Sequence, residues 1–167
     1  MTGPPSVRHV EDVRPVRSIL DSDLYKFTMQ QAILESSVED AEVLYRFTNR
    51  SKQMKFTENC VQEIQKEIDC LAELSLTAEE KSWLAKNCPY LRPKYLEFLE
   101  KFRFRPAQQV SLRFERDSQG NQGDIDLTVK GVWSEVTLYE VPLMSIISET
   151  YFRIIDTQWT MRGQRSR

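Results

Sequence analysis

Histidine is almost missing from this chain: His9 is the only one among 167 residues. It sits in a proline-rich start, so a Ser-His-Asp or Cys-His catalytic arrangement is not expected. The five glycines are scattered, which leaves no glycine-rich loop to cradle a phosphate. Cysteine is sparse and odd in number: Cys60 and Cys70 share one helical pattern, and Cys88 precedes Pro89. None has metal-ligand spacing, so three reduced thiols without a metal are expected. No carboxylate pair announces general acid–base work, and no complete set of catalytic residues is visible. No apolar run approaches the roughly 20 residues that span a bilayer. The segment Met1–Arg17 mixes charges with Pro4, Pro5 and Pro15 and lacks the apolar core of a secretory leader. It reads as a flexible arm on an intracellular protein. A basic excess is also absent: the net charge is −2, which argues against a general nucleic-acid binder.

What is present suits a soluble globular domain with a real core, with 40% hydrophobic and 29% charged residues. Asp21 or Ser22 can cap a first helix running to about Leu34. Val43, Tyr45 and Phe47 alternate with Leu44, Arg46 and Thr48, which predicts a strand with one apolar face. Thr57 can cap the next helix, with Glu58 in its first turn, and Val61, Ile64, Ile68 and Leu71 form one helical stripe. Thr77-Ala78-Glu79-Glu80 fits a capping box, and the helix after it turns Trp83 and Leu84 inward. Pro93 suits the first turn of a further helix carrying Tyr95, Leu96, Leu99 and Phe102. Val110, Leu112 and Phe114, then Ile125, Leu127 and Val129, predict two strands joined as a hairpin by the turn-rich segment 117–124. Glu135–Val141 looks extended, and Pro142 opens a helix to about Ile155. That helix is apolar nearly all round, so another domain or subunit is expected to cover it. The order of elements predicts an α+β fold, not a wound parallel sheet.

Three places could carry chemistry, and each has a plain structural alternative. Asp23 and Tyr25 can cap and pack the first helical turn, or they can orient and stack a planar ligand, since an aromatic face contributes on the order of 0.5–1.5 kcal/mol beyond burial. Arg50 and Lys52 can form a solvated basic turn, or a phosphate clamp at a strand end, with Asn49 and Ser51 adding hydrogen bonds. Glu149 in the apolar helix can be an exposed edge residue or half of an interface ion pair.

The segments Ser18–Gln31, Tyr45–Ser51 and Leu138–Glu149, in this order and spacing, resemble the amino-terminal region of the fungal and bacterial type of nicotinate phosphoribosyltransferase. Thr77–Glu80, Cys88-Pro89-Tyr90-Leu91 and Phe102-Arg103-Phe104 are similar to that family as well. The likeness covers roughly 18–159, with 1–17 as an arm and 160–167 as a disordered or truncated tail. It implies helices on a small, mostly antiparallel sheet, the N-terminal domain of a type II phosphoribosyltransferase without its α/β barrel. It implies a reaction too: nicotinate and phosphoribosyl pyrophosphate give nicotinate mononucleotide and pyrophosphate, coupled to ATP hydrolysis, with magnesium, in NAD salvage. By the same likeness Tyr25 stacks on the pyridine ring across a homodimer interface, Asp23 lies beside the ring, and Arg50 with Lys52 approaches the phosphates. The family's barrel and its phosphoacceptor histidine lie beyond this region, and His9 matches nothing in the motif. The expectation is a fragment without activity of its own, cytoplasmic, with the nucleus as a second compartment. A non-enzymatic dimerisation module derived from this domain is the other reading kept.

Overall fold

The computed structural model describes residues 14–51 and 53–165, and from residue 155 onward as backbone only. Lys52, His9 and the rest of residues 1–13 lie outside the described residues. In chain order the elements are α1 (Leu24–Leu34), β1 (Glu42–Phe47), α2 (Glu58–Cys70), α3 (Ala78–Asn87), α4 (Pro93–Lys101), a single turn α5 (Pro106–Gln109), β2 (Val110–Arg116), β3 (Gly123–Val132), a second short turn α6 (Trp133–Val136) and the long α7 (Glu140–Arg165). Two 3₁₀ turns, Leu71–Glu73 and Thr137–Tyr139, extend α2 and link α6 to α7. This is the expected α+β arrangement of helices around a small antiparallel sheet. No helix among the described residues is long and apolar enough to cross a membrane.

The sheet has the order β1-β3-β2, with β3 paired antiparallel on both sides. Its register stacks Tyr45 on Val129 and Val129 on Val110, so the alternating apolar residues of all three strands share one face. That face packs on a core that includes Ile64 and Ile68 of α2, Leu99 of α4, and Leu143 and Ile146 of α7. Burying side chains of this size contributes about 1.5–3 kcal/mol each. The opposite face is polar: Arg46 and Arg113 both reach Asp126, at 3.2 Å and 2.6 Å. The hydrogen bond from Arg113, with Arg46 assisting, holds the Asp126 carboxyl below its ordinary range.

Local chemistry explains most boundaries. Thr57 accepts from the Cys60 amide at 3.2 Å and starts α2. Thr77 and Glu80 form a reciprocal capping box at α3, and Glu80 also accepts from the Ser18 hydroxyl, which ties the segment before α1 to the start of α3. The β2–β3 hairpin turns through Gly120, whose φ of +78° suits glycine. Gly123 pairs with Arg116 and also bridges Phe56, and a Cβ there would meet the Glu115 carbonyl oxygen at 2.0 Å.

Three expectations fail: the start of the first helix, the extended segment before the last helix, and the end of that last helix. The first helix begins at Leu24 with Asp23 as its cap residue, not at Asp21 or Ser22. Asp21 is already engaged one turn earlier, where its carboxylate accepts from the amides of Arg17 and Ser18 at 2.7 Å and 3.1 Å. The segment Glu135–Val141 is not extended: it runs from α6 through the 3₁₀ turn into the first residues of α7. Burial decides this, because Val136, Leu138 and Tyr139 reach the core from successive turns, and the helix dipole of α7 begins at Glu140, where a carboxylate is favoured. Pro142 falls in the first turn of α7, where a missing amide hydrogen costs nothing. The helix then continues to Arg165, beyond Ile155.

Candidate functional site

A cleft of about 760 Å³ opens between the end of β1 and the start of α7. Tyr45, Phe47 and the segment 48–51 form one wall; Glu140, Met144 and Ser148, one helical turn apart from each other, form the facing wall. Arg50 brings positive charge to the β1 side, while the Arg46 side chain is turned to Asp126 on the opposite face of the sheet, and Glu140 brings a carboxylate to the helix side. The interior between them is largely apolar, with Phe56, Ile125 and Val129 below.

The strand end is shaped by Asn49. Its side-chain amide donates to the Met54 carbonyl at 2.9 Å and to Asp124 at 3.3 Å, and its oxygen accepts from the Ser51 amide at 3.0 Å. Asn49 thus has a structural role, tying the loop after β1 to Met54 and Asp124. Arg50 is carried outward on that loop, exposed, at the cleft. Tyr45 is oriented by Trp133, whose indole N–H donates to the phenol oxygen at 2.9 Å. An indole nitrogen can only donate, so the phenol proton of Tyr45 is directed elsewhere.

Tyr25 and Asp23 do not line this cleft. Tyr25 stands on the outer side of α1 with 51% of its surface exposed, so packing into this domain is not its role. Asp23 is exposed at the cap position and makes no side-chain cap bond. The link between α1 and the cleft is the lysine that follows Tyr25. Lys26, one position after Tyr25, is buried, and its ammonium bonds to Glu140 on the cleft wall. Glu149 is exposed on α7.

Beneath the site, Gln30 and Tyr139 are buried polar groups with partners. Gln30 of α1 is fully buried; it donates to the Ser134 carbonyl at 2.8 Å and accepts from the Tyr95 hydroxyl at 2.7 Å. Tyr139, which borders the cleft, donates to Gln109 at 2.7 Å and accepts from the Arg105 amide at 2.8 Å. Burial raises both phenols far above the usual range, so they stay protonated donors. The Cys60 thiol is likewise pushed up to about 11 by burial, which makes it an unreactive core residue. Among the described residues no three His, Cys, Asp or Glu side chains gather to hold a metal.

Arginine at a strand end, an exposed tyrosine on the adjoining helix and a carboxylate between them can bind an anionic ligand and a flat ring. The carboxylate, Glu140, is engaged by Lys26, and no nucleophile paired with a base stands among these groups. This incomplete chemistry agrees with the comparison to known proteins. The sequence model of the nicotinate phosphoribosyltransferase N-terminal domain matches residues 20–148. A nicotinate phosphoribosyltransferase of Methanosarcina mazei is 45% identical over 145 residues, 86% of this chain and 34% of that protein. A Saccharomyces cerevisiae crystal structure, provisionally named as a nicotinate phosphoribosyltransferase, superposes with a TM-score of 0.81 at 32% identity, covering 89% of this chain and 36% of the other. The Porphyromonas gingivalis enzyme gives a TM-score of 0.74 at 40% identity, with 84% and 34% coverage. The chain spans about a third of the length of the curated relatives it matches. With a family match over most of its length and the same fold in solved relatives, the chain belongs to the nicotinate phosphoribosyltransferase family, as its N-terminal domain.

Proposed function

We propose that this domain supplies one part of a site that joins nicotinate to phosphoribosyl pyrophosphate, giving nicotinate mononucleotide and pyrophosphate in NAD salvage. The observation that carries the reading is Tyr25: a large aromatic ring held on the surface of a well-packed helix, with no role in its own core. Such a ring suits stacking on a pyridine, with Asp23 beside it and a neighbouring chain of a homodimer closing the pocket. Arg50 suits phosphate oxygens, which a guanidinium can meet with two parallel bonds. Lys52, two positions further along the sequence, is proposed to add a point charge.

In the reaction the anomeric carbon loses its bond to the pyrophosphate oxygen and gains one to the pyridine nitrogen. The electron pair of the broken bond leaves with pyrophosphate, and charge builds on the sugar between the two events. What Tyr25 and Arg50 can do here is hold the ring and the leaving phosphates in line, which is positioning and charge stabilisation. ATP coupling and magnesium belong to the same proposal. The described residues offer no cluster of three or more His, Cys, Asp or Glu ligands for a metal.

The domain alone is proposed to be inactive. Incubation of the purified 167-residue chain with nicotinate, phosphoribosyl pyrophosphate, ATP and magnesium should give no nicotinate mononucleotide by chromatography; robust formation would refute this. A second reading, a dimerisation or interaction module, is favoured by α7, where Met144 and Phe152 are 53% and 58% exposed. Light scattering after size exclusion separates the two, because a module of that kind forms a defined oligomer unaided.

A further inference from the structure

Tyr25 is half exposed, yet one side of its ring is already taken. The Lys26 ammonium lies over the ring, 5.3 Å from its centroid. Lys26 is an unusual neighbour for that purpose. Its side chain is only 5% exposed, although lysine normally carries its charge into water. The ammonium stays in this place because Glu140, the first residue of α7, bonds to it from the cleft wall. An ammonium removed from water requires a carboxylate or several hydrogen bonds, so the pair is mutually fixed. Desolvation also strengthens the attraction of a cation for an aromatic face. The three groups form a chain: Glu140 anchors Lys26, and Lys26 holds the ring.

We propose that Lys26 is a positioning residue, which Glu140 pins so that its ammonium grips one face of Tyr25 and leaves the other face as the single stacking surface for a planar aromatic acid. Glu140 thereby couples the ring on α1 to the cleft that ends in Arg50. The proposal deepens the reading of Tyr25 as a stacking residue and rests on it for the identity of the ligand. The grip on the ring stands on geometry alone.

The test uses the 167-residue chain with ¹³C-labelled tyrosine. The Tyr25 ring signals are assigned by their loss in Tyr25→Phe. In Lys26→Met, which keeps the stem and removes the charge, these signals should move and sharpen as the ring gains freedom, while amide spectra show the rest of the fold intact. Glu140→Gln, at a half-exposed position, should move the same signals without burying anything new. Lys26→Arg keeps a cation and should retain most of the parent pattern. Unchanged Tyr25 signals in folded Lys26→Met or, if that variant does not fold, in Glu140→Gln would overturn the proposal. In a complete transferase carrying this domain, Lys26→Met should raise the KM for nicotinate about two- to fivefold, no more than Tyr25→Ala does, with the KM for phosphoribosyl pyrophosphate unchanged. A freed ring with an unaltered nicotinate KM would overturn the positioning role. Failure of the stacking reading itself shows separately, as an unaltered nicotinate KM in Tyr25→Ala.

Discussion

Replacing Gln30 by leucine is the sharpest test of how α1 is held. The side chain is fully buried and serves two partners at once, the Ser134 carbonyl and the Tyr95 hydroxyl. Leucine fills a similar volume, so the cavity contribution is small. What remains is a carbonyl and a hydroxyl without partners, each costing about 1–3 kcal/mol when buried. The expected loss is about 3 kcal/mol, a large share of the 5–15 kcal/mol typical of a whole domain. Tyr95→Phe removes only the donor to Gln30 and should cost about 1–2 kcal/mol. The double variant should lose about 1 kcal/mol less than the sum, because the Tyr95–Gln30 bond can be broken only once. Urea unfolding followed by circular dichroism reads these values from midpoints at constant slope. A Gln30→Leu loss under 1 kcal/mol, or strict additivity in the double variant, would refute the reasoning. The consequence reaches function, because α1 is the helix that carries Tyr25.

Three further outcomes follow from single contacts. Thr77→Ala removes one arm of the capping box and should cost about 1 kcal/mol, read as a fall in Tm of about 2–4 °C. Gly123→Ala would press a Cβ to 2.0 Å from the Glu115 carbonyl oxygen, so the backbone must shift; a loss of about 1–3 kcal/mol is expected, with faster amide exchange at Phe56, whose N–H donates to Gly123. Asp126 titrates low in the folded state, chiefly through its hydrogen bond from Arg113. Its contribution is therefore complete above the unfolded value of about 4 and is lost as pH falls through the folded value. Asp126→Asn should flatten the stability profile below about pH 4, and an unchanged acid limb would contradict the pairing.

The sequence was most legible where one local rule decided the outcome. The alternation of Val43, Tyr45 and Phe47, the Thr77–Glu80 box and the turn-rich hairpin tip each depend on neighbours a few residues away. The inner side of α1 hides from the same reading because half of it is polar: Lys26, Gln30 and Gln31 are buried beside Phe27 and Ile33. Their burial is satisfied by Glu140, Ser134, Tyr95, Tyr90 and Arg92, all distant in sequence. Three consecutive capping candidates at 21–23 were equivalent in sequence, and only the bonds from Arg17 and Ser18 to Asp21 separate them. The Val132–Tyr139 segment is rich in β-branched and aromatic residues that favour strands, and core packing overrides that preference. The cleft joins segments near residues 45–56 and 139–148, so Arg50 was identified from its own loop while Glu140, and its pairing with the buried Lys26, were not. Tyr25 was recognised by family likeness, and its exposure supplies the physical reason that packing could not.

The central claim is that Tyr25 belongs to a nicotinate pocket, not to the core of this domain. Its most direct measurement is steady-state kinetics of Tyr25→Ala in a complete transferase carrying this domain. Loss of a stacking contact of about 0.5–1.5 kcal/mol corresponds to a two- to tenfold rise in the KM for nicotinate. The account predicts that rise, with a smaller change for phosphoribosyl pyrophosphate and a folded stability close to the parent's. Equal changes for both substrates, or no change for either, would contradict it.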